Sequence, residues 1–167
     1  MQRLVTVAVL LAAACAAAQP SSKASGLVGK PVSVRAADLE GRDHDVRSDD
    51  GKVRVVDFWA TWCDPCRDQL PFLDRLNATY GPRGLSIYAV SFDEDRSAVE
   101  RFLSEKHPSF TVLWDKGGDV LSDPLQVTRL PTTLFVDKKG IVRDVHLGFE
   151  KSEEKDIEGL VQRLLSE

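Results

Sequence analysis

Residues 53–66 read VRVVDFWATWCDPC, and this stretch decides the fold. Its first seven residues are mostly β-branched or aromatic, which is typical of a central strand that is covered on both faces. After the second cysteine, apolar residues recur at helical spacing as far as Tyr80, with Pro71 inside the pattern as an expected kink. The stretch therefore predicts a buried strand, a turn that carries two cysteines, and a helix over residues 64–80.

The rest of the chain alternates between the same two patterns. Strand character returns in four segments, residues 85–92, 110–113, 132–136 and 141–147. Helical or turn patterns occur at residues 96–106 and 117–125, and a last helix is expected over residues 157–165. A turn that contains Gly41 predicts an N-terminal β-hairpin. We therefore expect an α/β fold, with a mixed central sheet and helices on both faces.

Composition limits the chain to one domain and argues against nucleic acid as a partner. The 167 residues have 43% hydrophobic and 29% charged side chains, as in an ordinary globular domain. The formal net charge is −4, whereas binding to a phosphate backbone needs a clustered excess of Lys and Arg. The three cysteines are too few for a disulfide-stapled miniprotein.

The N-terminus has the features of an export signal. Arg3 precedes an apolar run over residues 4–14, and three alanines follow at 16–18. The run is shorter than the roughly 20 residues of a membrane-spanning helix. We expect a signal peptide over residues 1–18, a flexible tether over 19–26 and a folded domain over 27–167, in the periplasm or envelope of a bacterium.

A second interpretation of the N-terminus involves Cys15. The sequence LAAAC at 11–15 resembles a degenerate lipoprotein signal, in which Cys15 would carry a lipid anchor. The match is imperfect because Leu11 lies four residues before the cysteine instead of three. Soluble and lipid-anchored forms therefore both remain open, and in either form Cys15 lies outside the folded domain.

Cys63 and Cys66 lie where the predicted strand gives way to the predicted helix. A thiolate at a helix N-terminus is stabilised by unpaired backbone N–H groups and by the helix dipole, so Cys63 is the expected nucleophile. Pro65 is compatible with the first helical turn. A zinc site would need further ligands, but the histidines are scattered singly, and Arg67 stands where a c-type haem site needs histidine. The pair is therefore expected to be redox-active.

The residues FWATWCDPC at 58–66, together with RLPTT at 129–133 and the hairpin after them, resemble the thioredoxin-fold proteins of the exported TlpA/ResA-like branch of the redoxins. This resemblance implies a thioredoxin-like fold with an N-terminal hairpin and an inserted helix and strand within residues 96–125. It also implies thiol–disulfide exchange with proteins that carry disulfides or dithiols. We expect neither a cofactor nor a metal.

Asp57 is a second candidate catalytic residue. A carboxylate in the middle of an apolar strand is costly to bury in its ionised form, and burial raises its pKa. Its place six residues before Cys63 matches the buried acid of thioredoxins, which implies that Asp57 relays the proton of the resolving Cys66. Gln69 stands where ResA-like proteins often have an acidic residue, and that residue's proton-relay role is not carried over to an amide.

Substrate binding is expected around the second motif. The resemblance implies that Leu130, Pro131 and Thr132 form the loop that holds a cis-proline against the disulfide and pairs with an extended substrate segment. A plain strand-entry role for Pro131 is the alternative. Trp62 is expected on an exposed rim that the partner covers.

The expected direction of exchange is reduction of the partner. Asp64 lies between the cysteines and disfavours a second negative charge on Cys63, so the dithiol form should be less stable and the protein more reducing. Such a reductant outside the cytosol needs a membrane electron donor.

Two other classes of function stay open, a copper-binding metallochaperone on the same fold and a peroxiredoxin-like peroxidase. A role in cytochrome c maturation is a narrower version of the leading hypothesis.

Overall fold

The computed structural model of the protein describes residues 26–49, 51–122 and 124–167. The strands in these ranges are β1 (Arg35–Asp38), β2 (Asp43–Asp45), β3 (Val53–Trp59), β4 (Leu85–Ser91), β5 (Thr111–Trp114), β6 (Thr132–Val136) and β7 (Val142–Leu147), and the α-helices are α1 (Asp64–Tyr80), α2 (Arg96–Ser104) and α3 (Glu154–Ser166). The expected signal peptide, Cys15 and nearly all of the tether lie outside the described residues.

The strands form one mixed sheet in the order β2-β1-β5-β4-β3-β6-β7. The three strands β3, β4 and β5 run parallel, whereas β6, β7 and the hairpin of β1 and β2 pair antiparallel with their neighbours. Every residue of β3 is buried, as expected for a central strand. The mixed sheet and the N-terminal hairpin are therefore confirmed, and α2 and β5 are the inserted helix and strand.

Alternate residues of β3 contribute to two separate cores, because successive side chains of a strand point to opposite faces. Val53, Val55 and Trp59 pack with buried residues of α1, α2 and α3. Val56 and Phe58 pack on the other face with the N-terminal segment and with apolar residues from 121–127. The face with the helices is also the one that contains Cys63 and Cys66.

The distribution of helices differs from the expected one. All three α-helices contribute to the same core, and irregular segments with short 3-10 turns cover the opposite face. The crossovers β3-α1-β4 and β4-α2-β5 step across the sheet in the same direction, and right-handed crossovers of this kind place their helices on the same face.

Helix α1 positions the cysteine pair. Its N-cap is Cys63, Pro65 lies in its first turn, and the helix runs from Asp64 to Tyr80 with Pro71 inside it. Pro65 costs no hydrogen bond there because the first backbone N–H groups of a helix have no partner within it. In the described part of the chain, no helix has the length and apolar character needed to cross a membrane.

Candidate active site

Cys63 and Cys66 form a disulfide at the start of α1, with their Cα atoms 5.3 Å apart. Cys63 caps the helix without a side-chain hydrogen bond and retains 7% exposure, whereas Cys66 is fully buried. The helix start therefore presents the sulfur of Cys63 nearer to solvent than that of Cys66. This arrangement suits Cys63 as the attacking residue and Cys66 as the resolving residue.

The turn before the disulfide is anchored by a carboxylate that the sequence interpretation did not single out. Asp93 is buried just beyond β4 and accepts hydrogen bonds from the backbone N–H of Thr61 at 2.9 Å and from its hydroxyl at 2.6 Å. The hydroxyl of Ser91 donates to it as well, at 2.8 Å. The sequence position of Asp93 could have indicated this contact. Asp93 follows β4 and Thr61 follows β3, and the carboxyl ends of neighbouring parallel strands meet at one edge of the sheet.

Asp64 forms an ion pair with Arg67, one helical turn further along α1. The side chain of Asp64 is 82% exposed, so solvent screens its charge as well. The expected reducing effect of Asp64 applies to a carboxylate without a positive partner. Arg67 brings a positive charge to the same helix start and offsets part of that effect.

Two of the residues expected to bind the partner, Trp62 and Leu130, share one surface next to Cys63. The Leu130-Pro131 peptide bond is cis, as the resemblance implies. Trp62 is 68% exposed and, with Leu130, lines a cavity of about 460 Å³. The side chain of Thr132 is buried, and its hydroxyl donates to the carbonyl of Arg129 at 2.8 Å. The structure thus brings Trp62 and Leu130 to one surface and turns the Thr132 side chain away from solvent.

Asp57 is fully buried in β3, on the face that contributes to the core with the cysteines. Its Oδ1 accepts a hydrogen bond from the hydroxyl of Thr133 at 2.7 Å, and the Nε2 of Gln69 donates to the same hydroxyl at 2.8 Å. Gln69 and Cys66 are both buried and lie three residues apart on α1, so they share one face of the helix. The carboxyl is thereby linked to the helix turn that carries the disulfide.

Burial is the main influence on the proton affinity of Asp57. It raises the pKa of the carboxyl to about 7, and the hydrogen bond from Thr133 opposes the increase. No partner in the described residues reaches the second oxygen, Oδ2. The expected burial and the expected rise in pKa are confirmed. A carboxyl with this pKa can accept or release a proton near neutral pH.

Two further residues contribute to the surroundings of Asp57 in a way that the sequence alone does not indicate. Thr133 lies opposite Asp57 in the register of β3 and β6, and sequence spacing alone does not reveal that pairing. Gln69 was considered only as a departure from an acidic residue.

Within residues 26–49, 51–122 and 124–167, no three side chains of the His, Cys, Asp or Glu type are grouped so that they could hold a metal ion.

Comparisons with known proteins agree with this geometry. A family model described as Redoxin matches residues 21–161. The thiol-disulfide oxidoreductase ResA of Bacillus cereus is 33% identical over 127 residues, which cover 76% of this chain and 72% of that protein. ResA of Halalkalibacterium halodurans is 35% identical over 66% of this chain and 62% of its own length.

Solved structures of thiol–disulfide oxidoreductases are also similar to this chain. A DsbE-like thiol:disulfide interchange protein of Chlorobium tepidum superposes with a TM-score of 0.77 at 27% identity, over 83% of this chain and 96% of the other. A secreted disulfide oxidoreductase of Mycobacterium tuberculosis superposes with a TM-score of 0.66 at 25% identity, over 78% and 96% of the two chains. The chain therefore belongs to the redoxin family, as a thioredoxin-like thiol–disulfide oxidoreductase.

Proposed function

We propose that the protein is exported and reduces disulfide bonds in partner proteins, with Cys63 as nucleophile, Cys66 as resolving residue and Asp57 as proton acceptor. The observation that carries the proposal is the disulfide at the start of α1, linked to a buried carboxyl through Gln69 and Thr133.

The first chemical step uses the dithiol form of the protein. The thiolate of Cys63 attacks one sulfur of the partner disulfide, a bond forms between these two sulfurs, and the second partner sulfur leaves as a thiolate. The helix N-terminus stabilises the attacking thiolate.

The second step releases the partner. The thiol of Cys66 gives its proton to the carboxylate of Asp57, and its sulfur attacks the sulfur of Cys63. The bond between Cys63 and the partner breaks, and the partner sulfur leaves as a thiolate. The partner has then gained two electrons, and the protein has returned to the disulfide form with a proton on Asp57.

The partner would lie across the rim beside the disulfide. Trp62 offers an exposed aromatic surface, and Leu130 lines the adjoining cavity. The backbone around Pro131 and Thr132 would pair with an extended segment of the partner that carries the target disulfide. Apolar contact with Trp62 would then contribute to binding, since large aromatic side chains dominate the energetics of such interfaces.

The proposal also includes the location of the protein and the source of its electrons. A signal peptide over residues 1–18 and a tether over 19–26 would deliver the domain over 27–167 to the periplasm or envelope, either free or anchored by a lipid on Cys15. The secreted M. tuberculosis neighbour supports this location. A membrane electron donor would regenerate the dithiol, because compartments outside the cytosol are oxidising.

The central experiment is insulin reduction with dithiothreitol as electron source. We expect the wild type to accelerate insulin precipitation, and the Cys63→Ser variant to match the uncatalysed rate. Asp57→Asn should slow the release of the partner by about 100-fold, the lower range for the loss of a general base. Equal rates for the wild type and Cys63→Ser would contradict the catalytic assignment.

The reduction potential of the Cys63–Cys66 pair tests the direction separately. A value of about −270 mV, as in thioredoxin, supports a reductant, whereas a value of about −120 mV, as in DsbA, would identify an oxidant. The measurement needs only equilibration of the purified protein with a redox buffer of known potential.

A further inference from the structure

Three buried polar side chains meet beneath the first turns of α1. Thr133 lies between Asp57 and Gln69, with its Oγ1 at 2.7 Å from Oδ1 of the carboxyl and 2.8 Å from Nε2 of the amide. All three residues are at least 99% buried. Two of their polar atoms, Oδ2 of Asp57 and Oε1 of Gln69, have no partner among the described residues.

The direction of the hydrogen bonds in this group depends on the proton of Asp57. A hydroxyl donates one hydrogen and accepts others. When Asp57 is ionised, the hydroxyl of Thr133 donates to the carboxylate and accepts from the amide of Gln69. When Asp57 is protonated through Oδ1, the acid donates to Thr133, whose hydroxyl must then donate elsewhere. The carbonyl oxygen of Gln69 becomes a suitable acceptor if the amide turns by half a rotation.

Few charged groups face this cluster. Val55 and Trp59 flank Asp57 on the same side of β3, and Ala89 pairs with it from β4. The helix α3 contributes apolar residues to this core. The titratable groups described on this side include the thiols of Cys63 and Cys66 in the reduced protein and Tyr80 of α1, which donates to Glu158 of α3 at 2.6 Å. They also include His146 of β7, which pairs with Thr133 and contacts Asp144 at 3.3 Å.

We infer that Thr133 and Gln69 are positioning residues that form a reversible hydrogen-bond relay, in which the amide of Gln69 turns as Asp57 gains or loses its proton. The relay supplies one hydrogen bond to Asp57 in each state, so the carboxyl changes protonation without losing its partner. Glutamine suits this task because its amide presents either a donor or an acceptor, whereas a carboxylate at residue 69 would present only acceptors.

The inference rests on the proposed function only for its catalytic consequence, because the relay itself is measured in the oxidised protein without turnover. Protein labelled with ¹³C at the carboxyl carbon of aspartate is titrated by NMR, and Asp57→Asn assigns the signal. The side-chain amide of Gln69 is followed in the same samples after ¹⁵N labelling, and Gln69→Leu assigns it. We expect the amide signal of Gln69 to change with the same midpoint as the carboxyl signal of Asp57.

Variants separate the relay from ordinary packing. Thr133→Val removes the donor to the carboxylate, so the midpoint of Asp57 should rise by about one pH unit or more. Thr133→Ser keeps the hydroxyl and should stay within about 0.3 unit of the wild type. Gln69→Glu cannot donate from a carboxylate, so it should raise the Asp57 midpoint by about one unit. The exposed Gln162→Glu is the control and should leave the midpoint unchanged.

Two results would overturn the inference. One is a Gln69 amide signal that stays constant while Asp57 titrates. The other is an Asp57 midpoint that stays within about 0.3 unit of the wild type in both Thr133→Val and Gln69→Glu. If Thr133→Val does not fold, the amide signal of Gln69 in the wild type decides alone, because it is read without adding a charge. These results are independent of the insulin assay, so failure of the relay and failure of the proposed function are distinguishable.

Discussion

Two buried aspartates lie near the active-site turn, and their surroundings differ. Asp93 accepts three hydrogen bonds, two from Thr61 and one from Ser91, and so holds the turn before the disulfide. Asp57 accepts one, from Thr133. Both are nearly inaccessible, with exposures of 3% and 0%. Burial alone therefore does not separate an anchoring carboxylate from one suited to proton transfer, whereas the number of donors does.

The other buried aspartates follow the pattern of Asp93. Among the described residues these are Asp38, Asp115 and Asp137, and each accepts at least two hydrogen bonds. Donors compensate a buried carboxylate for the water that it loses. Asp57 is the exception, and its ionised form is the least compensated.

The sharpest test of this contrast is Asp57→Asn. The folded protein holds the proton of Asp57 up to about pH 7, whereas the reference carboxyl loses it near 3.8. Stability from this group is therefore present below pH 4 and is lost as the pH rises towards 7. The asparagine variant avoids that loss, and we expect it to be more stable than the wild type by about 4 kcal/mol at pH 8.

Urea denaturation of the oxidised proteins at pH 4 and pH 8 measures the effect. The gain should vanish at pH 4, where the wild-type carboxyl is neutral as well. A gain of equal size at both pH values would show that packing and not charge is responsible, and the contrast with Asp93 would lose its electrostatic basis.

The sequence predicted which residues of this site carry the chemistry better than it predicted the contacts between them. Asp57 was recognisable because its neighbours in β3 are apolar, and Cys63 because it lies at the junction of strand and helix. Thr133 is 76 residues from Asp57, and Asp93 is 32 residues from Thr61, so neither contact follows from local spacing. Such contacts depend on strand register and sheet order, which local patterns do not determine.

The placement of the helices illustrates the same limit. The strand and helix segments were predicted to within a few residues, but all three helices lie on one face. Which face a helix covers depends on the order in which the parallel strands join the sheet. The sequence patterns identify the elements and leave that order open.

The opposite change in stability is expected at the anchoring carboxylate. Asp93→Asn replaces an acceptor of three hydrogen bonds with an amide whose nitrogen faces donors, so it should destabilise the fold by about 2 kcal/mol at pH 7. Urea denaturation measures it, with the exposed Asp119→Asn as the control that should change little. An unchanged Asp93→Asn would mean that the hydrogen bonds to Thr61 and Ser91 add nothing, and the distinction between the two aspartates would fail.

The smallest effect is expected at Asp64, which is as close to Cys63 in sequence as any residue but lies in solvent and pairs with Arg67. Exposed charges interact weakly, so Asp64→Asn should lower the pH midpoint of thiolate formation at Cys63 by less than about 0.5 unit. That change corresponds to a rise in reduction potential of less than about 15 mV. Arg67→Gln is the matched variant and should move both quantities in the opposite direction.

The ultraviolet absorbance of the thiolate in the reduced protein gives the midpoint, with Cys66→Ser as background so that one thiol is observed. A shift above about one unit in Asp64→Asn would mean that an exposed carboxylate outweighs its ion pair and solvent. The reducing character would then come from Asp64. A small shift would leave the helix N-terminus as the main influence on the Cys63 thiolate, and Asp57 in β3 as the group proposed to take the proton of Cys66.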